Sequence, residues 1–509
     1  MPVNRNATLS RMMRRALMTG LLLCPLMAAG WSLVVEQGDI GMALPDIHTA
    51  GWEVTGSKAD VQPSITASGD SAVFDFNPAS VVVTERLAYT GSEQPLLLQD
   101  LRTNLSDVTL TIDYGASGTW AERIAVKGKV KVEANRITHP RLVPQAWSFR
   151  GNVAGHLANL RIQGTLVSNA GVEADLDVQL SPDGAVSISV GSVIEGPDDV
   201  RALAATFTGW PELLSVDSGS ARVSAELHLG PKGGLAVDGA ATLDEVNGVF
   251  NRTAFTGLTG EVLATLEGDR MTARSTGLTA EQVNPGIPVS AVHFTGSYTA
   301  PISKKLAGKL AVQQANAQFL GGSLRIPPGT YDLAGGAGRI PVELQDISLA
   351  RLMEVYPAEG LGGSGLLSGL IPISFSSDGV QVEQGRVSAE SPGGRLQLPA
   401  DKLQGMLGGN QAMDVVVKAL QNFHYSVLSS TIDYDDTGKL TLDLRLEGNN
   451  PEVRGGQPVV LNVNLEEDIP ALLTSLQLSG SVNEAVTERV RKLLQGSGQE
   501  QKPGKEAVP

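Results

Sequence analysis

The chain has 509 residues with 58 Gly and 27 Pro, is 42% hydrophobic but only 4% aromatic, and carries a formal charge of -15. Without a segregated basic patch, that charge repels a phosphate backbone, so nucleic acid is excluded as a partner. The single cysteine, Cys24, excludes a disulfide framework and a cysteine zinc site. At the N-terminus Arg5, Arg11, Arg14 and Arg15 precede Ala16 to Val35, twenty residues without a charge. A helix of that length crosses a bilayer core of about 30 Å. The basic flank predicts a cytoplasmic N-terminus, with everything after Glu36 exported. The small residues Ala28-Ala29-Gly30 keep a cleaved signal peptide open as the alternative.

From about residue 50 to 465 the dominant pattern has period two, which places successive side chains on opposite faces of a sheet. Ile124, Val126, Val130 and Val132 alternate with Ala125, Lys127, Lys129 and Lys131. Val172, Ala174, Leu176, Val178 and Leu180 alternate with three acids and Gln179. Ser181-Pro182-Asp183-Gly184 then turns the chain into Val186, Ile188 and Val190, which reads as a hairpin. Val223, Ala225, Leu227 and Leu229 are set against Arg222, Ser224, Glu226 and His228. Leu440, Leu442, Leu444 and Leu446 follow the turn Asp435-Asp436-Thr437-Gly438 and alternate with Thr441, Asp443 and Arg445.

Each such strand has one apolar and one polar face. The apolar face must meet a second sheet, curl upon itself, or accept a non-protein ligand. The number of strands favours a curled sheet with an apolar groove. Short helices are expected at Asp198 to Ala205, Ser348 to Tyr356, Gln411 to Leu420 and Asp468 to Leu478, plugging groove ends or capping edges. Val482 to Leu494 reads as an amphipathic helix and the rest as a polar tail.

Chemical motifs are sparse. Gly360 to Gly365 matches G-x-G-x-x-G, but a helix precedes it and a strand follows, the inverse of what dinucleotide binding requires, so a tight turn is expected. Asp433, Asp435 and Gly438 faintly resemble a calcium loop, yet Thr437 and Leu444 stand where carboxylates are wanted, so a hairpin turn is expected. The six histidines lack metal-ligand spacing, and no P-loop or nucleophile elbow is present. No catalytic, cofactor-binding or metal residue is assigned, and a non-enzymatic role is expected.

An ordered series closes the chain: helix Leu349 to Tyr356, Gly363-Ser364-Gly365, Gly369-Leu370-Ile371-Pro372, Asp378-Gly379-Val380 and Gly385. It continues through Pro392-Gly393-Gly394, Phe423-His424-Tyr425, Gly448-Asn449-Asn450-Pro451 and Pro458 to Glu466. In these residues, about 341 to 480, the chain resembles the YdbH family of AsmA-like envelope proteins, also labelled a dicarboxylate transport domain. The resemblance implies an inner-membrane-anchored β-groove with its body in the periplasm, moving phospholipid toward the outer membrane. It also implies a small outer-membrane lipoprotein that adds strands near the C-terminus. Small dicarboxylates fit poorly, because the repeated faces are aliphatic and no Arg or Lys cluster is available for two carboxylates.

The expectation is therefore an all-β protein: an elongated antiparallel curled sheet with an apolar groove, few short helices and one N-terminal transmembrane helix. Residues 1–35 would be anchor or signal, 36–340 the β-groove body, 341–480 the C-terminal β domain, and 481–509 an amphipathic helix and tail. The groove-lining candidates are Val223, Ala225, Leu227, Leu229, Leu440, Leu442, Leu444 and Leu446. The rival readings are a structural or adhesive protein of stacked β-sandwiches, and a periplasmic enzyme or dicarboxylate transport component.

Overall fold

The computed structural model describes residues 32–468 apart from 36–38, 50, 77–79, 91–94, 231–234, 305–306, 334–337, 356–360, 377–378, 399–416, 436 and 454. The chain divides into two compact units, Met1–Thr242 with Thr265–Gly268, and Leu243–Ala264 with Asp269–Pro509. Within each, the described ladders are antiparallel. The all-β, helix-poor, antiparallel architecture expected from the period-two pattern is present.

The first unit is a meander. Its outermost lane is residues 32–49, the short strands Ser32–Val35, Ile40–Ala43 and Ile47–Thr49, which pair with residues 52–68. Residues 71–89 come next, then the long strand Leu96–Asp113. Ile124–His139, Leu142–His156, Asn159–Ser168, Glu173–Leu180, Val186–Glu195 and Leu214–Leu229 follow, each laid against the one before it. The predicted hairpin is among them: Ser181 N–H donates to Ala185 O at 2.8 Å and Gly184 N–H to Ser181 O at 2.9 Å.

Helices are inserted where two strands join. A single turn, α1 (Trp120–Arg123), precedes Ile124–His139. The longer α2 (Gly196–Thr206) carries Pro197, Asp198 and Asp199 in its first turn, where acids favour the helix dipole. α2 sits between Val186–Glu195 and Leu214–Leu229, which still pair with each other from Glu195↔Ser220 onward.

Glycines allow the close approach of neighbouring lanes. A Cβ on Gly151 would lie 2.2 Å from Gln163 O, and one on Gly164 would lie 2.1 Å from Arg150 O. The Phe149 ring lies over Gly151, with Cζ 2.6 Å from that same Cβ position, an aromatic covering a bare backbone on the same face. Phe294 covers Gly296 in the second unit in the same way, with Cζ at 2.9 Å. Gly151→Val is therefore expected to lower stability by about 1–3 kcal/mol through overpacking. Gly191→Ala, where a Cβ meets nothing within 4 Å, should leave the melting temperature nearly unchanged.

In the second unit Arg270–Asn284, Val289–Pro301 and Lys309–Phe319 are successive lanes, and Gly322–Ile326 with Gly329–Asp332 share the next. Arg339–Ser348, Leu366–Ser376, Gly379–Ala389, Phe423–Tyr434, Lys439–Asn449 and Val459–Asp468 complete the sheet. α3 (Leu349–Val355) matches the expected helix. With residues 417–420, which are helical, it covers one end of the apolar face. A packed core forms there from Ile347, Leu349, Leu367, Leu396, Val417, Leu420, Phe423, Tyr425, Leu428 and Leu446.

Three expectations need correction or placement. Ser32–Val35, the end of the uncharged run, is strand paired with Ile65–Ser68, so a membrane helix cannot include it. The expected transmembrane helix otherwise falls on residues 1–31, outside the described residues; among those described, no helix is long and apolar enough to cross a membrane. Asp468 does not open a helix but ends the strand Val459–Asp468, because its lane still has Lys439 to pair with. The rest of that helix and the amphipathic helix at 482–494 lie outside the described residues.

Candidate functional site

In the first unit the ladder registers align the apolar side chains into rows that run across the strands. One row is Gly128, Val153, Ile162, Val178, Ile188 and Leu227. The next is Val130, Gly151, Gly164, Leu176, Val190 and Ala225. A third begins Val132, Phe149, Leu166 and Ala174. Because side chains alternate along a strand, residues in register on neighbouring strands share one face.

The other face is polar in the same register. Lys129, Asn152, Gln163, Asp177, Ser189 and Glu226 form one of its rows. Arg161 Nε donates to Asp177 Oδ1 at 3.0 Å and Gln163 Nε2 to Asp177 Oδ2 at 2.9 Å. The hydrogen bond from Arg161 holds the Asp177 carboxyl below its ordinary range. These exposed pairs contribute little to stability. Their effect is to keep that face wet.

The burial of the apolar rows distinguishes this face from a sandwich interior. Val153, Ile162, Leu176, Val178, Ile188, Val190 and Leu227 are all half-buried, whereas aliphatic side chains under a second sheet are fully buried. Much of the buried apolar set of the first unit is small, including Ala59, Ala72, Ala88, Ala134, Ala174 and Ala202.

Among the described residues, α2 crosses and covers one end of these rows. It leaves the end of Val186–Glu195 and is fastened at Thr206, which is fully buried. Gln145 Nε2 donates to Thr206 Oγ1 at 3.2 Å, and the Ser168 hydroxyl lies 3.3 Å from the same oxygen. Thr208 Oγ1 donates to Pro140 O at 2.7 Å, beyond the far strand. α2 is thus a strap over the ends of four strands, and Ser168 and Ala174 near it are buried.

The second unit repeats the arrangement. Leu344, Gly369, Val387, Ser430, Leu444 and Val463 are one row, and Ile432, Leu442 and Leu465 belong to another. Here the packed core around Phe423 covers one end. Tyr425 Oη donates to Ser364 O at 2.7 Å within it, and burial raises the phenol above its usual range.

Of the residues singled out from sequence, Val223, Ala225 and Leu227 are half-buried members of the first unit's face, and Leu229 at its end is 39% exposed. Leu440, Leu442 and Leu444 are half-buried in the second unit; Leu446 is 2% exposed and belongs to the packed core. Sequence reading missed Val153, Ile162 and the fastening of α2 at Thr206, although it placed a helix at Asp198 to Ala205. Glycines at 128, 151 and 164 break the alternation around Val153 and Ile162, although their regular spacing from Leu160 and Leu166 was a usable signal.

Of the two motif-like segments, Asp433 to Gly438 is the expected hairpin turn, whereas the glycine-rich segment, expected as a tight turn, is largely a short strand. Gly363 packs under α3, where a Cβ would lie 2.8 Å from Leu349 Cγ, and Gly362–Ser364 is a short strand beside Gly394–Gln397. Asp435 Oδ1 accepts from Thr437 Oγ1 at 2.6 Å and from Lys439 N–H at 2.9 Å. These bonds, the Thr437 hydroxyl first, lower its pKa. Asp433 Oδ1 accepts from Gln384 N–H at 2.7 Å. Among the described residues no group of three or more His, Cys, Asp or Glu is placed to hold a metal.

No match was found among curated proteins or among solved structures. The family model described as intermembrane phospholipid transport protein YdbH matches residues 42–491, which covers most of both units and nearly every described strand. The chain therefore belongs to the YdbH-like family of intermembrane phospholipid transport proteins.

Proposed function

We propose that the apolar face of each unit is the wall of a groove along which phospholipid acyl chains move while head groups stay at the wet rim. The observation that carries this reading is the half-burial of the aliphatic rows, side chains screened from bulk water yet not packed under a second layer. Each CH₂ removed from water is worth about 0.8 kcal/mol, so a two-chain lipid gains strongly from lying on such a face. Neighbouring positions in a row are nearly equivalent, so a chain slides with little change in energy. Val223, Ala225, Leu227, Leu229, Leu440, Leu442 and Leu444 are lining residues in this proposal; Leu446, already covered by protein, is left out.

The remaining parts of the proposal follow from the N-terminal run and the family. The part of the uncharged run that lies between the four arginines and Ser32 anchors the chain in the inner membrane, with the β-sheet body in the periplasm. The described pairing of Val459–Asp468 is with Lys439–Asn449 alone, which leaves a sheet edge that a small lipoprotein can extend by strand addition. Native mass spectrometry of protein purified without detergent tests the central claim. Bound phospholipid is expected; a preparation that remains lipid-free after incubation with phospholipid vesicles overturns it.

A further inference from the structure

Two cavities flank α2, and the larger lies off the aliphatic rows. It has a volume of about 630 Å³ between the helix and residues 209–217, within the size range of small-ligand sites. Its walls include Val200, Phe207, Trp210 and Leu214, and its rim carries Arg201, Glu212 and Asp217. The smaller cavity, about 310 Å³, lies where Asp199 and Leu203 of the helix approach Ala174 and Ile194 of the sheet.

Three observations bear on what the larger cavity takes. Phe207 is 38% exposed, an aromatic left open beside a cavity. The Trp210 indole forms part of the same apolar wall. The side chains of Glu212 and Asp217 have no ion-pair or hydrogen-bond partner among the described residues, whereas Arg201 is paired with Asp198. The rim therefore offers one guanidinium and a surplus of carboxylate, a combination that attracts a cation and repels a net anion.

We infer that this cavity is a head-group subsite for an amine-bearing zwitterionic glycerophospholipid, a step that rests on the phospholipid reading above. The ammonium meets Glu212 and Asp217, and the phosphate meets Arg201. One acyl chain lies along Val200, Phe207 and Leu214. A phosphatidylglycerol head group brings the same phosphate but no cation, and the rim disfavours it. The fastening of α2 at Thr206 and Thr208 holds these side chains on a fixed support.

The test uses the full chain with a benzophenone side chain placed at Ala204, which is exposed beside the cavity, and separately at Ile188 in the aliphatic rows. Each is irradiated with vesicles of equal phosphatidylethanolamine and phosphatidylglycerol, and the crosslinked lipid is identified by mass spectrometry. At Ala204 phosphatidylethanolamine is expected to exceed phosphatidylglycerol by about fivefold, the scale of an exposed charge pair; at Ile188 the two should be equal. Glu212→Gln should reduce the bias, and Glu212→Lys with Asp217→Lys should reverse it. Equal capture at Ala204, or no lipid there while Ile188 captures it, overturns the subsite and leaves the groove standing. Failure to capture lipid at either position overturns the groove reading with it.

Discussion

Ile188→Asp is expected to stop lipid passage through the first unit without unfolding it. Ile188 lies between Val178 and Leu227 in an aliphatic row and is half-buried. A carboxylate there must either face hydrocarbon or draw water into the row. Leaving even a neutral polar group without partners in an apolar setting costs about 2–7 kcal/mol, and a charge costs more. Each 1.4 kcal/mol is tenfold in rate, so transfer between donor and acceptor vesicles should fall by about a hundredfold or more. The side chain is not part of a packed core, so the melting temperature should move little. Ser189→Asp, one residue away on the exposed polar face, is the control and should transfer lipid normally. Leu442→Asp makes the same test in the second unit. Normal transfer by both charged variants would mean that the rows do not carry acyl chains.

Phe423→Ala is expected to have the opposite signature, a large loss of stability in the second unit. Phe423 is 0% exposed at the centre of the packed core, with Leu349, Leu420 and Leu446 around it. Removing a buried phenyl ring typically costs about 3–5 kcal/mol, the transfer energy plus the cavity left behind. The strand Phe423–Tyr434 also joins three neighbours: Gly394–Gln397, Gly379–Ala389 and Lys439–Asn449. Hydrogen exchange should accordingly show loss of protection across those lanes, with the first unit unaffected. Unchanged exchange in Lys439–Asn449 would show that the core does not tie these strands together.

The contrast between the two substitutions shows what period-two patterning can and cannot convey. Leu442, Leu444 and Leu446 occupy equivalent places in one alternating strand, and all three were assigned to one face from sequence alone. That face is common to them, yet Leu446 is 2% exposed and the other two are half-buried. The difference comes from Leu349, Leu420 and Phe423, brought over one end by chain distant in sequence. Alternation specifies sidedness; cover is a tertiary property. α2 and α3 were legible because proline and acidic residues mark their starts or ends. The fastening of α2 was not, since Gln145, Ser168 and Thr206 are ordinary polar residues until the fold brings them together. Lanes through Gly128, Gly151 and Gly164 were harder to read than Glu173–Leu180. A glycine contributes no side chain to the pattern, although it lets the adjacent backbone draw near.

The plain meander of the first unit bears on how such a sheet is assembled. Every lane from 32–49 to Leu214–Leu229 lies against the lane adjacent to it in the chain. Pairings of this sort close short loops and resemble the nearest-neighbour order of repeat proteins, in which structure propagates from any nucleus. A polypeptide delivered amino end first can consequently zip up as it arrives. Each new hairpin needs only its predecessor as a template, and the sheet grows without waiting for the carboxyl end to be made.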